Sequence, residues 1–156
     1  LVRETGDGPV RRDVLTSLLW DGYTAETARP SLRTALHNLR RVCAPLPLLA
    51  TSRQAAQFDR SHPGLLCDSL ALESLLCAVN AASDNEQSAQ RAAWLAELEI
   101  YQAAFLDGLN LTDSPSFEAW KTAKRANYAE RIAAARQALR RAAARCAAQL
   151  DPLLWP

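Results

Sequence analysis

Six arginines (Arg29, Arg33, Arg40, Arg41, Arg53 and Arg60) fall between residues 29 and 60 against a single acid, Asp59, a local balance of +5. Residues 61–156 carry nine Lys or Arg against eleven acids, a balance of −2. The chain's formal net charge of +1 therefore hides one concentrated cationic stretch. Guanidinium groups at that density are the electrostatic footprint of a phosphate-binding surface. Interleaved with them stand Thr34, His37, Asn38 and Arg41, spaced i, i+3, i+4 and i+7, which a helix places on one face. All four side-chain types hydrogen-bond to base edges. Arg29, Arg33 and Arg40, with Arg53 further on, are of the type that grips phosphates, contacts that supply affinity without sequence information. The bland alternative for the same residues is a solvated amphipathic helix rich in arginine.

Other chemistries lack their residues. Cys43, Cys67, Cys77 and Cys146 form no C-x-x-C pair, and His37 and His62 are the only histidines. No tetrahedral metal set is expected, and the thiols read as small apolar residues. There is no glycine-rich phosphate loop and no nucleophile–base pair, so neither catalytic residues nor a cofactor are expected. Glu97 and Glu99 lie on different sides of a helix and read as solvated charge. No apolar window is long enough for a bilayer and no secretory leader is present, which points to a cytoplasmic protein without membrane partners. Leu1 stands where a full-length chain has Met, so a fragment of something longer is expected.

The elements that must position the cationic face follow from local pattern. Gly6, Gly8 and Pro9 mark a turn. Val14, Leu15, Leu18 and Leu19 give a short helix over about 11–20. Residues 21–27 read as a loop, and Pro30 suits the first turn of a second helix running to Cys43, before Pro45 and Pro47. On a wheel of roughly 100° per residue, Leu32, Leu36, Leu39 and Cys43 share a narrow sector that must face the core. Thr34, His37, Asn38 and Arg41 then point away. Leu48–Thr51 and Ala55–Phe58, separated by Ser52-Arg53-Gln54, suggest a short hairpin.

From Asp68 onward the pattern is helical. Leu70, Leu72, Leu75, Leu76 and Val79 form one stripe, with Asp68 or Ser69 as cap. A further helix starts at Asp84-Asn85 and carries Ala93, Trp94, Leu95, Leu98, Tyr101 and Ala104 to about Phe105. After a loop pivoting on Gly108, Ser114 as capping hydroxyl and Pro115 at the first helical position open an alanine-rich helix ending at Asp151-Pro152. Trp20, Trp94 and Trp120 read as core anchors rather than base-stacking platforms. Glu118 and Arg125 read as a surface pair of little worth.

Leu18-Leu19-Trp20-Asp21, Ala28-Arg29, Leu32-Arg33, Ala35-Leu36 and Leu39-Arg40-Arg41 resemble the winged helix of the Streptomyces antibiotic regulatory protein family. Tyr101, Phe105-Leu106-Asp107-Gly108-Leu109, Phe117-Glu118-Ala119-Trp120 and Arg125 resemble the bacterial transcriptional activator domain that accompanies it. The resemblance implies a mainly α chain: a partial winged helix-turn-helix with a short β-hairpin wing over 1–62, then a tetratricopeptide-like helical module over 63–156. Its recognition helix would be 30–43 and its wing about 48–58. Residues 21–27 would correspond to a segment that touches RNA polymerase, and helices 68–150 would serve self-association. The earliest strands and first helix of such a domain would precede Leu1. The usual glycine and aromatic of the wing are replaced by Ala55-Ala56-Gln57-Phe58, leaving Arg53 as its contact residue.

Two functions from different classes are therefore in view. One is a regulator binding double-stranded DNA, for which the resemblance implies activation rather than repression. The other is an interaction module of a larger signalling protein that does not bind DNA itself.

Overall fold

The computed structural model describes residues 8–44, 46–83 and 86–150. It is mainly helical with a small three-stranded antiparallel sheet. Gly6, Pro45, Asp84-Asn85 and Asp151-Pro152, used above as turn, start and stop signals, lie outside the described residues. The chain divides into two compact units, Leu1–Cys67 with Leu109–Lys121, and Asp68–Gly108 with Thr122–Pro156. The short segment 109–121 belongs to the first of these units.

In the first unit the order is β1 (Val10–Arg11), α1 (Arg12–Leu19), α2 (Ala25–Cys43), β2 (Leu49–Thr51) and β3 (Ala55–Phe58). The hairpin reads true to its local pattern: Leu49 pairs with Phe58 and Thr51 with Ala56. No glycine is needed at its turn. The Ser52 hydroxyl accepts the N–H groups of Gln54 (3.2 Å) and Ala55 (3.0 Å), a side-chain substitute for a backbone turn. Strand β1 is not apparent from the sequence, where Arg11 reads as helix. Two residues are too few to carry an alternation, and the strand exists because Val10 and Arg11 pair with Ala56 and Ala55 of the central strand β3.

A small core of Leu32, Leu36 and Ala56, with Leu15, Trp20 and Leu49 packed on it, binds the helices to the sheet. Segment 109–121 adds a polar lock. Helix α5 (Pro115–Leu150) has Pro115 at its first position, as the sequence suggests. Its preceding residue does not cap it as expected. Ser114 is 2% exposed and its hydroxyl donates to the Leu18 carbonyl at 2.8 Å. Asp21, far away in sequence, supplies the cap, its Oδ2 accepting the Ser116 N–H at 2.8 Å. Glu118 and Arg125 do not pair with each other. Glu118 accepts the Leu111 N–H at 2.7 Å and meets the Lys121 ammonium at 2.7 Å. Lys121, 2% exposed, also donates to the Asn110 side chain (3.0 Å) and the Leu109 carbonyl (2.5 Å). Those acceptors are what let a lysine be buried.

The second unit contains α3 (Asp68–Ala81), α4 (Ser88–Ile100) and the remainder of α5. Leu72, Leu75, Leu76 and Val79 of the expected stripe are buried with Leu98, Ala135 and Leu139, and Trp94 packs against them as a core anchor. Leu76 at 1% and Leu98 at 0% exposure are its centre, each worth about 1.5–3 kcal/mol of burial. Helix α4 ends at Ile100, earlier than Phe105. Arg136 takes over its end by donating to the Leu98 carbonyl at 2.7 Å. Arg125 holds the following segment through the carbonyls of Phe105 (2.7 Å) and Leu106 (2.9 Å). There Leu106 and Gly108 both take positive φ, 51° and 76°, a reversal only glycine adopts freely. Arg131 and Glu73 form a two-pronged ion pair at 2.9 and 2.8 Å between α5 and α3.

Candidate nucleic-acid interface

Helix α2 positions most of the candidate side chains. It begins at Ala25, five residues before the start that Pro30 suggests, so Pro30 lies inside it. Thr24 is the capping residue in extended backbone, and its carbonyl accepts the N–H groups of Thr27 (3.0 Å) and Ala28 (2.9 Å). Ala28 explains the early start. Together with Leu32 and Leu36 it is buried, and a helix beginning at Pro30 would forgo that contact. The loop at 21–27 is correspondingly shorter. Residues 25–27 belong to α2, and Asp21 is engaged with Ser116.

With Ala28, Leu32 and Leu36 facing inward, the outward face is set. Thr34, His37, Asn38 and Arg41 are all exposed along one side of α2. Arg29, Arg33 and Arg40 are exposed as well, and Arg53 is exposed at the tip of the β2–β3 hairpin. Among the described residues, Arg29, Arg33, Arg40, Arg41 and Arg53 make no ion pair. By contrast Arg11 is matched by Asp13, and Arg131, Arg136 and Arg140 by carboxylates. The arginines of the second unit are largely structural; those of α2 and the hairpin are not committed internally. Arg40 and Arg41 also sit in the last turn of α2, where the helix dipole favours cations.

The core-facing sector of α2 is shorter than periodicity suggests. Leu39 lies in line with Leu32 and Leu36 yet is 40% exposed, because the small core ends at Leu36. Val42, on the adjoining side, is 81% exposed.

Sequence pattern gave no hint of Asp21 as a structural group. Its carboxyl lies below the ordinary aspartate range, chiefly through the Ser116 side-chain hydrogen bond and then the Ser116 N–H. Its partner is 95 residues away, beyond any local signal. Near it Tyr23 is exposed. Cys43, Cys67, Cys77 and Cys146 are free thiols. Among the described residues, no three His, Cys, Asp or Glu side chains come together as a metal site, and no helix is long and apolar enough to cross a membrane. No protein-family model matches the chain, and neither a curated protein nor a solved structure matches it.

Proposed function

We propose that this chain is a DNA-binding transcription regulator, with a winged helix-turn-helix in its first unit and a tetratricopeptide-like module in its second. The observation that carries the reading is the outward face of α2. Thr34, His37, Asn38 and Arg41 are exposed side by side, flanked by arginines that no carboxylate of the described chain neutralises. A helix fits the major groove, and these side chains have the donors and acceptors that base edges require. Arg29, Arg33, Arg40 and Arg53 are the phosphate contacts of this reading. The turn before α2, with Tyr23 exposed, is where RNA polymerase would be met. Helices 68–150 are the surface for self-association.

The test is fluorescence anisotropy on a mixed-sequence duplex across a salt series. A steep fall of affinity with salt is expected, and Arg33→Ala with Arg40→Ala should reduce the log–log slope by about two. An unchanged slope in that double variant removes their phosphate role. No binding by the native chain at low salt favours the second reading, a protein–protein module. Leu39, Val42 and Ile100, at 40%, 81% and 77% exposure, are apolar side chains such a module would present.

A further inference from the structure

The two flanks of α2 are chemically unlike, and this asymmetry carries a consequence for how DNA is held, resting on the DNA-binding reading above. Burial of Ala28, Leu32 and Leu36 fixes the rotation of the helix about its axis. Measured from Leu32 at roughly 100° per residue, Arg29, Arg40 and Arg33 lie at about 60°, 80° and 100° on one side. On the other side, at about −60°, −80° and −100°, lie Ala35, Val42 and Ser31. Ala35 and Val42 are exposed and carry no polar side-chain atom, and the Ser31 hydroxyl is used on the Thr27 carbonyl at 2.9 Å. The arginine flank extends from residue 29 to residue 40, about 16 Å of helix at 1.5 Å per residue. Glu26, the one acid of α2, sits beyond its N-terminal end.

A helix lying in the major groove, about 12 Å wide, presents its two flanks to two different phosphate walls, one from each strand. Of these two flanks only the first carries cations, the groups that hold phosphate by charge. We infer that α2 grips the backbone of a single strand through Arg29, Arg33 and Arg40, and meets the other strand with an uncharged, partly apolar edge. Phosphate contacts to the second strand are then left to other elements, Arg53 of the hairpin among them. The consequence is polarity: the arginine flank fixes which way round a non-palindromic site is read.

The test starts from a duplex selected with the whole chain from a randomised library. Single methylphosphonates are then placed along each strand in turn. Affinity is measured by anisotropy for the native chain and for Arg33→Ala/Arg40→Ala, whose positions are exposed and whose folding is checked by circular dichroism. Phosphates coupled to these arginines are those whose neutralisation weakens the native chain, by about tenfold for a charge-assisted contact, but leaves the variant unaffected. All coupled phosphates are expected on one strand. Coupled positions on both strands, or none on either, overturn the inference while DNA binding stands. Failure to select any duplex removes the DNA-binding reading, and the strand polarity with it.

Discussion

Replacing Pro30 by Ala distinguishes two origins for α2 by the sign of the effect. Were Pro30 the first residue of the helix, its missing N–H would cost nothing and its fixed φ would help, so alanine would destabilise slightly, by about 0.5 kcal/mol. With the helix starting at Ala25, Pro30 is the sixth residue, where it has no N–H for the Glu26 carbonyl and its ring crowds that carbonyl. An interior proline costs about 3 kcal/mol relative to alanine. Pro30 is exposed, so little burial is lost. The net expectation is a stabilisation of about 3 kcal/mol, or about 1.5 M in the urea midpoint at an m-value near 2 kcal/mol/M. The assay is urea unfolding followed by far-UV circular dichroism, with amide exchange of Arg33 to Leu36 reporting α2 itself. Slower exchange at those amides and a higher midpoint are expected. A lower midpoint would refute a helix beginning at Ala25 and restore Pro30 as its start.

Two further outcomes follow from the polar lock around segment 109–121. Asp21→Asn weakens the cap on α5 and should lower stability at neutral pH. A carboxyl held below its unfolded value of 3.8 stabilises above that pH and ceases to do so as pH falls through the folded value, so the gap between variant and native chain should close below pH 3.8 in acid titrations of Tm. A constant gap from pH 7 to 2 would show that Asp21 acts by packing alone. Lys121→Met removes a buried ammonium and leaves Glu118 and the Leu109 carbonyl without it, at an expected cost of about 2–4 kcal/mol in denaturant unfolding. A neutral result would show that the apolar thioether replaces the ammonium without loss.

Much of the architecture follows from local pattern. The stripe of Leu72, Leu75, Leu76 and Val79 is buried because a 3.6-residue period admits one core-facing side. Pro115 opens α5, and Ser52 to Gln54 turns the hairpin, because proline geometry and turn chemistry act within a few residues. The candidate reading face was legible for the same reason: Thr34, His37, Asn38 and Arg41 share one side of any helix that contains them. Where the helix begins was less legible, since a proline's preference for the first turn competes with the burial of Ala28 against groups from elsewhere in the chain.

The sequence by itself determined which residues share a face, since helical and strand periods are properties of neighbours along the chain. Tertiary structure alone decided which of those faces is covered and by what. It turned the middle of α2 inward but left Leu39 exposed, made a strand of Val10 and Arg11 through β3, and gave Asp21 its role at the head of α5. Each of these depends on a partner that is remote in sequence, and the cost of an uncovered leucine or an unsatisfied N–H is set only when that partner arrives or fails to.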